Sequence, residues 1–595
     1  MNLKRKIIEL VSGGGIFNNF ATVLDKKDYR NLVVYFISMF LSVILETISV
    51  GAIIPAMSVI LDPDIINKYV WLGDLTLAMG IKSHEMLIVY CFIGLVVIFF
   101  VKSFFTILLI WMQSKFVFSL QASLSNRLFQ VYLFQPWKFY LNRNSSELVR
   151  NLTSEIDVFT NNGLMSSLTL IKELFVVLGI ITLMFLFEPQ GTLMLLVFGI
   201  IFIGFTNLIS KKGITRWGKE RQHFENQRNK HLLQGLGGAK DIKVYGKENR
   251  FIELYQSNNS HISRINKNQT VVSQLPKVFL EFIVIFILSI LVVFMIKDGR
   301  TNSELIQILG LYSVAAFRLI PSINMIMNCI HGLFFGIPAI KTLSNEFSLL
   351  DKELKKITSS EQEFTFSSSI ELKNISFSYE TNTKLILSDL SFIIYPNQCI
   401  GIVGQSGSGK STFIDIILGL HQVEFGEILV DGKNIYENLS MWRKHIGYVP
   451  QTIFLTDDTL KNNIAFGENE AEIDWNRLTK AVESSGLNNY INTLPEGLET
   501  YVGERGINIS GGQRQRVGIA RALYRDPSIL IFDEATSSLD NETETLVMDT
   551  INNLLGKKTI IIVTHKPLLL SSCDAVYKIK KGQIKSFNII SNKYD

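Results

Sequence analysis

Six apolar stretches in the first 340 residues constrain this chain more than any other feature of its sequence. They lie near residues 32–61, 87–112, 164–187, 191–210, 277–296 and 304–337. Each reaches about twenty residues, the length at which an α-helix crosses the apolar core of a bilayer. The sequence therefore predicts an α-helical membrane domain with six transmembrane helices.

The connections between these stretches differ greatly in length. The first and second stretches are joined by about twenty-five residues, the third and fourth by only three, and the fifth and sixth by a short polar turn. The second-to-third and fourth-to-fifth connections have about fifty and sixty-five residues, and both have a helical pattern. Two long pairs of helices should therefore extend from the membrane on one side only.

Basic residues indicate that this side is cytoplasmic. The N-terminal segment and the two long connections carry about twenty-four Lys and Arg, whereas the three short connections carry about four. Because cytoplasmic loops are enriched in these residues, we expect both termini and both long connections to be cytoplasmic. A channel with six spans would obey the same rule, so the topology alone does not define a transporter.

The N-terminus and the overall composition are less informative. Residues 1–30 begin with a basic cluster, but their short Gly-rich continuation is interrupted by charges, which favours an interfacial segment over a cleaved signal peptide. The net charge of +5 is small for 595 residues and argues neither for nor against nucleic acid. Four cysteines at unrelated spacings, without a C-x-x-C pair, predict reduced thiols rather than a metal site.

A glycine-rich loop in the C-terminal part of the chain predicts a phosphate-binding site. It follows a predicted buried strand, Cys399 to Val403, and precedes a predicted helix, Phe413 to Leu420. In such a loop, backbone N–H groups close around phosphates at the helix N-terminus, the lysine adds a charge, and the hydroxyl next to it can ligate Mg²⁺. The loop residues are Gly404, Gln405, Ser406, Gly407, Ser408, Gly409, Lys410, Ser411 and Thr412.

Two further motifs give this loop a more specific meaning. The run Ile509-Ser510-Gly511-Gly512-Gln513 follows about a hundred residues later, and the apolar run 529–532 then ends in Asp533 and Glu534. In this order the three motifs resemble the nucleotide-binding domain of an ABC ATPase, which has an α/β P-loop fold. Ile509 stands where that family usually has Leu, and it keeps the position apolar.

With six spans ahead of the cassette, the whole chain resembles an ABC exporter half-transporter of type I. The resemblance implies an N-terminal interfacial segment at 1–30, a six-helix transmembrane domain at 31–340, a linker at 341–368 and a nucleotide-binding domain at 369–595. Residues 145–156 and 235–249 resemble the two intracellular loops that, in this family, end in short coupling helices.

The resemblance implies roles for single residues and makes ATP and Mg²⁺ the expected cofactors. Glu534 would be the general base and His565 the switch histidine that contacts the γ-phosphate, so these two are the implied catalytic residues. Mg²⁺ would be held by Ser411, Gln451 and, through water, Asp533. ATP would be bound by the phosphate loop and by Gln451. The other implied ATP-binding residues are Tyr379, which would stack on adenine, Asp540, which would lie at the dimer interface, and Ser510, Gly511, Gly512 and Gln513.

Residues 510–513 close over ATP bound by a second domain in this family's geometry. Because the chain carries one complete set of motifs, we expect a homodimer with two composite sites. The expected setting is the cytoplasmic membrane of a bacterium, with several spans crossing the bilayer and the ATPase domain in the cytoplasm. No nucleic-acid partner is expected.

Charged residues inside the predicted spans give information about the transported substrate. A Lys or Arg at mid-membrane costs about 2.5–3.5 kcal/mol on insertion scales, so each needs a compensating partner. Lys102, Lys277 and Arg318 are the candidates for substrate binding, and no acid lies one turn away from Arg318. Acidic side chains could instead neutralise them; these are Glu46, Glu173 and Glu281. A polar stripe also follows Arg318 on the same span, formed by Asn324, Asn328 and His331.

The segments 275–281 and 317–322 resemble those of a narrower group, the flippases for lipid-linked oligosaccharides in bacterial protein N-glycosylation, of the PglK type. In that group, basic residues that line the cavity contact the pyrophosphate that joins the glycan to its polyprenyl lipid. The resemblance implies the same role here for Lys102, Lys277 and Arg318. The alternative is an ABC exporter of another lipid, a drug or a small peptide. A soluble ATPase is excluded by the six spans, and an ion channel would not need Glu534 and His565.

Overall fold

A computed structural model describes residues 26–61, 83–297, 299, 302–357, 366–379, 385–535, 541–564 and 566–586. Most of the predicted interfacial segment 1–30 and residues 358–365 of the predicted linker lie outside the described residues. The described chain divides into two compact units. A helical unit extends to residue 357, except for 136–139, and an α/β unit follows from residue 358.

Long helices build the first unit. Six helical segments in the described part of the chain are long and apolar enough to cross a membrane, which confirms the predicted six-helix domain. Four of them have 43–50 residues. At 1.5 Å per residue, about 65–75 Å, they are much longer than the roughly 30 Å of a bilayer core. In chain order the described helices up to residue 357 are α1 (Lys26–Gly51), α2 (Ile53–Leu61), α3 (His84–Leu133), α4 (Trp137–Leu141), α5 (Ser145–Phe187), α6 (Pro189–Gly237), α7 (Ala239–Tyr245), α8 (Glu248–Lys297) and α9 (Asn302–Ile357). Residues 137–139 of α4 belong to the second unit.

The two long connections are almost entirely helical, as the sequence predicts. The first is shared by α3, α4 and α5, and the second by α6, α7 and α8. Helix α6 begins with a proline at its first turn, where the missing N–H has no helical partner to lose. The helix α9 continues through the first half of the predicted linker to Ile357.

The apolar side chains of this unit face both inward and outward. Val176, Ile180 and Met184 of α5 pack with Tyr312 and Ala315 of α9 in a buried cluster. The most apolar part of α3 is only 6% buried. Such an exposed apolar surface suits lipid and would be a liability in water.

A buried ion network joins α5 and α6. The carboxylate of Glu155 is fully buried and lies 3.2 Å from Nη2 of Arg221, whose side chain is 4% exposed. Nε of Arg150 approaches the same carboxylate at 3.6 Å. Arg221 also pairs with Glu225 one turn along α6. The surrounding helix is π-helical over Asn151–Glu155 and again over Phe159–Met165.

Replacing Glu155 with Gln should destabilise the helical unit. The change leaves Arg150 and Arg221 buried with one negative partner fewer, and such losses typically cost about 3–5 kcal/mol. Thermal unfolding of the detergent-purified protein should show a clear drop in midpoint. The matched control is Glu220→Gln, because its partner Arg216 lies 2.7 Å away but is 79% exposed. An equal midpoint shift in both variants would contradict the prediction.

Two sheets form the α/β unit. An antiparallel sheet has the order β2-β1-β4-β5, and a six-stranded sheet has the order β10-β9-β3-β8-β7-β6. The strands are β1 (Ile370–Phe377), β2 (Leu387–Ile394), β3 (Cys399–Val403), β4 (Phe425–Val430), β5 (Lys433–Asn434), β6 (Ile446–Val449), β7 (Ile529–Asp533), β8 (Thr559–Val563), β9 (Ala575–Lys580) and β10 (Gln583–Ser586).

The α/β unit also contains eight helices in its described residues, apart from short 3-10 turns. They are α10 (Lys410–Ile417), α11 (Leu439–Lys444), α12 (Leu460–Ile464), α13 (Trp475–Ser484), α14 (Asn488–Thr493), α15 (Gly511–Tyr524), α16 (Asn541–Leu554) and α17 (Pro567–Leu570). Together with the helical unit, this architecture confirms the predicted fold class.

The direction of the strands in the larger sheet places the motifs. Strands β6, β7, β8, β3 and β9 are parallel to one another, and β10 is antiparallel to β9. The middle strands are apolar on both faces, as expected for a parallel sheet covered on both sides. Because parallel strands end at the same edge, the residues after β3, β6 and β7 meet there.

Candidate nucleotide-binding and transport sites

The phosphate loop lies between β3 and α10 and needs its glycines. Gly407 and Gly409 have φ of +76° and +105°, values that side-chain-bearing residues rarely adopt. A Cβ on Gly404 would lie 2.6 Å from the carbonyl oxygen of Ile579. The buried Lys410 begins α10, and its Nζ donates to the carbonyl of Gly404 at 2.7 Å and to that of Gln405 at 3.2 Å. The loop thus forms a narrow cradle with an internal cation, which fits a nucleotide's phosphates.

Two acids end strand β7 beside this loop. Burial, together with the neighbouring charge of Glu534, raises the pKa of Asp533, although a hydrogen bond from Tyr448 opposes the shift. Asp415, on α10, has its pKa raised to about 6 by burial and then by the charge of Asp533. Tyr448 belongs to the segment 448–451 around Gln451, but the sequence predicted no role for either Tyr448 or Asp415.

Glu534 and Gln451 are in direct contact. Nε2 of Gln451 donates to Oε2 of Glu534 at 3.0 Å. The backbone of Glu534 has φ of +49°, and its N–H donates to the carbonyl of Val563 at 2.8 Å. The amide nitrogen of Gln451 thus binds the carboxylate predicted to be the general base, while its amide oxygen belongs to the predicted metal ligands.

The residues predicted to hold Mg²⁺ have a suitable donor set. Ser411, Gln451 and Asp533 offer hydroxyl, amide and carboxylate oxygens, the ligand type that this hard cation prefers. All three lie at the carboxyl edge of the larger sheet: Ser411 and Gln451 follow β3 and β6, and Asp533 is the last residue of β7. Few protein ligands are offered, as is usual where Mg²⁺ is bound together with a phosphate-bearing substrate.

The ISGGQ motif forms the start of helix α15. Ser510 is its N-cap: its hydroxyl accepts from the N–H of Gln513 at 3.2 Å, and its own N–H donates to the side chain of Gln513 at 2.8 Å. Gly511 and Gly512 form the first turn, so neither adds a side chain that would cover the helix N-terminus. Ile509 is buried in the core, which explains why an apolar residue suffices there.

Tyr379 lies beside the phosphate-loop helix. Its hydroxyl is 3.0 Å from Oγ1 of Thr412, and its ring remains 39% exposed. The ring meets those of Phe377 and His421 edge-on, with centroids 5.3 Å apart in both pairs. Sequence reasoning did not single out His421, which follows α10 without a recognisable pattern. The catalytic prediction for His565 and the interface prediction for Asp540 fall outside the described residues.

A cavity of about 820 Å³ in the helical unit is lined by two of the three predicted substrate-binding residues, Lys102 and Arg318. Lys172, which the sequence did not mark as a candidate, also lines it. Lys277 does not belong to this lining and is exposed on α8. The structure therefore does not bring Lys277 together with the other two in this lining.

Acidic side chains neutralise most of this positive charge. Nζ of Lys102 lies 3.2 Å from Oε1 of Glu46, and Nε of Arg318 donates to the same oxygen. Nη2 of Arg318 lies 3.5 Å from Oε2 of Glu173, and Nζ of Lys172 lies 3.1 Å from Oε1 of the same carboxylate. No acid lies one turn from Arg318 along α9; its two acidic partners are Glu46 on α1 and Glu173 on α5. Three cations against two carboxylates leave one formal positive charge in this cluster, which we call the cavity cluster.

Two further observations concern polar residues of the spans. Neighbouring residues on a helix do not face each other, yet the long side chains of Lys172 and Glu173 meet in an ion pair. The polar stripe on α9 lies away from the cavity lining. His331 is fully buried, and neither of its ring nitrogens has a hydrogen-bond partner among the described residues; the same holds for Oδ1 of Asn324 and of Asn328.

A helical membrane domain followed by a phosphate-loop ATPase domain defines an ATP-driven membrane transporter. Residues 31–318 match the family model described as the ABC transporter transmembrane region, and residues 387–537 match the model described as ABC transporter. The chain belongs to the ABC transporters and is a half-transporter that couples ATP hydrolysis to transport. The predicted family and enzymatic activity are thus confirmed.

Similar proteins include flippases from several bacteria. The chain is 27% identical over 514 residues to an ATP-dependent lipid A-core flippase of Haemophilus influenzae, covering 85% of this chain and 86% of that protein. It is 29% identical to ATP-dependent lipid A-core flippase 1 of Colwellia psychrerythraea, covering 78% of each. A solved bacterial Atm1-family ABC exporter with ATP bound has a TM-score of 0.76 at 21% identity, covering 93% of this chain and 94% of that one, which shows a shared fold.

Proposed function

We propose that this transporter flips an anionic amphipathic lipid across the cytoplasmic membrane of a bacterium, and that its substrate is a polyprenyl-pyrophosphate-linked oligosaccharide. The observation that carries the proposal is the cavity cluster of Lys102, Lys172 and Arg318. Its cations exceed its carboxylates by one, and it lies in an otherwise largely apolar cavity. An anionic headgroup would compensate the excess charge, and an apolar chain would suit the exposed surface of the helices.

The lipid substrates in the names of similar proteins support the coarser part of this proposal. The relatives from Haemophilus influenzae and Colwellia psychrerythraea are both named as flippases of lipid A-core. The finer choice of substrate rests on the segments around Lys277 and Arg318, which resemble those of oligosaccharide-lipid flippases. Lipid A-core is the second candidate substrate, favoured by the relatives' names.

The working unit we propose is a homodimer with two shared ATP sites. Each site would take its phosphate loop from one copy and Ser510 to Gln513 from the other, and the exposed N-terminus of α15 would face the γ-phosphate. Asp540 would lie at the dimer interface, and both termini would be cytoplasmic. Tyr379 would stack on adenine.

At each site the residues divide the work of hydrolysis. Lys410 would leave its loop carbonyls for the phosphates, and Ser411, Gln451 and Asp533 would hold Mg²⁺, which offsets phosphate charge when bound. Glu534 would take a proton from the attacking water, and Gln451 would orient the Glu534 carboxylate through the hydrogen bond at 3.0 Å. His565 would contact the γ-phosphate.

Flipping in proteoliposomes tests the proposed cargo. We expect ATP-dependent flipping of a pyrophosphate-linked polyprenyl glycolipid, at least about tenfold faster than that of a zwitterionic phospholipid, because only the former carries charge that complements the cavity cluster. Lipid A-core should be assayed in parallel. Faster flipping of lipid A-core would replace the proposed substrate with the second candidate, and flipping of neither would contradict the lipid assignment altogether.

A further inference from the structure

One hydrogen bond at the nucleotide site comes from a residue for which the sequence predicted no role. Tyr448 lies on β6, three residues before Gln451, and its phenol oxygen donates to Oδ2 of Asp533 at 3.3 Å. Strands β6 and β7 are parallel, with Tyr448 opposite Ile531. The phenol therefore reaches two residues along the neighbouring strand to the carboxylate at its end.

The side chain of Tyr448 is half-buried at this contact. Its ring packs against the buried cluster that includes Ile529 and Ile531. The ring and the hydroxyl thus have separable roles, one in packing and one toward Asp533.

We propose that Tyr448 is a positioning residue that orients the carboxylate of Asp533 for the metal–nucleotide complex. The inference rests on the proposed role of Asp533 as a Mg²⁺ ligand. A carboxylate at a strand end can rotate about its side-chain bonds, and a hydrogen bond to one oxygen limits that rotation. Because the ordering is present before the metal binds, less side-chain entropy is lost on binding.

Tyr448→Phe isolates the hydroxyl, since the ring and its packing remain. Binding of Mn²⁺, followed by electron paramagnetic resonance in the presence of a non-hydrolysable ATP analogue, reports the metal site without turnover. We expect roughly two- to tenfold weaker Mn²⁺ binding, the range for the loss of one hydrogen bond. Affinity for the analogue in EDTA should not change, and the Mg²⁺ concentration that half-saturates ATPase activity should rise.

The control is Tyr524→Phe, made in the full-length protein. Tyr524 is buried, and its hydroxyl accepts from the N–H of Asp474 at 3.0 Å, away from the predicted site. This variant should bind Mn²⁺ and the analogue as the wild type does. A weakening of metal binding in both variants to the same extent would indicate a general loss of packing and overturn the proposal.

Asp533→Asn tests the role of Asp533 in metal binding separately from the positioning role of Tyr448. If it weakens Mn²⁺ binding while Tyr448→Phe does not, positioning by Tyr448 is wrong and the role of Asp533 stands. If Asp533→Asn also leaves Mn²⁺ binding unchanged, the proposed metal site fails and the role of Tyr448 fails with it. If Tyr448→Phe weakens binding of the analogue in EDTA as much as it weakens binding of Mn²⁺, the proposal is likewise overturned.

Discussion

Replacing Glu534 with Gln is expected to reduce steady-state ATP hydrolysis by at least about a hundredfold while leaving ATP binding intact. Loss of a general base typically costs 10²–10⁴-fold. Glu534 follows β7 next to Asp533, and its carboxylate accepts from Gln451. The glutamine has nearly the same shape, but it cannot take a proton from water. Phosphate binding depends on Lys410 and the loop, which the substitution does not touch.

Phosphate release and nucleotide binding measured on the same preparation test this expectation. The mutant should bind ATP with wild-type affinity and hold two copies together in ATP, because the closed state is no longer resolved by hydrolysis. Glu468→Gln provides the control: this carboxylate pairs with Arg525 at 3.2 Å in the same unit, and its loss should leave turnover near normal. More than about a tenth of wild-type activity in Glu534→Gln would remove Glu534 from the role of base.

The meeting of the predicted nucleotide-site residues at one sheet edge could be predicted, because these residues belong to short motifs at strand ends. A parallel sheet brings those ends to one edge, so Gly404, Gln451 and Asp533 meet although they are far apart in the chain. Tyr448 and Asp415 were not predictable in the same way. Their contact with the acids depends on which strands are neighbours and on side-chain direction, and no local pattern encodes either.

The charge pairs in the membrane cavity were harder to predict from the sequence than the nucleotide site. Mid-span charges can be found by hydropathy, but their partners lie on other helices: Glu46 and Arg318 are 272 positions apart. The packing of α1, α5 and α9 decides this pairing, and no sequence period fixes it. The position of Lys277 outside the cavity lining likewise depends on how the helices pack, which the sequence does not show.

The cavity cluster leads to the second large effect. Arg318→Ala and Lys102→Ala should each reduce flipping of a pyrophosphate-linked glycolipid by about tenfold or more, the size expected for losing a hydrogen bond to a charged group. Either change lowers the formal charge of the cluster from one positive to zero. In both variants Glu46 keeps one of its two cations, so the carboxylate is not left alone.

Two matched variants separate this explanation from a structural one. Lys277→Ala removes a span-associated cation that lies outside the cavity lining, and it should leave flipping nearly unchanged. Glu46→Gln removes a carboxylate from the cluster and raises its formal charge to two, so flipping should persist if Arg318 serves the substrate. If Arg318 serves only to neutralise Glu46, Glu46→Gln should instead impair the protein as strongly as Arg318→Ala.

Flipping in proteoliposomes, with basal ATPase activity and thermal unfolding measured in parallel, distinguishes these outcomes. Arg318→Ala and Lys102→Ala should retain basal ATPase activity, because the nucleotide site is in the other unit, while flipping falls. Unchanged flipping in both variants at normal ATPase activity would contradict the anionic-lipid assignment. Loss of flipping in Lys277→Ala alone would instead mean that the headgroup follows a path along α8, outside the cavity that Lys102 and Arg318 share.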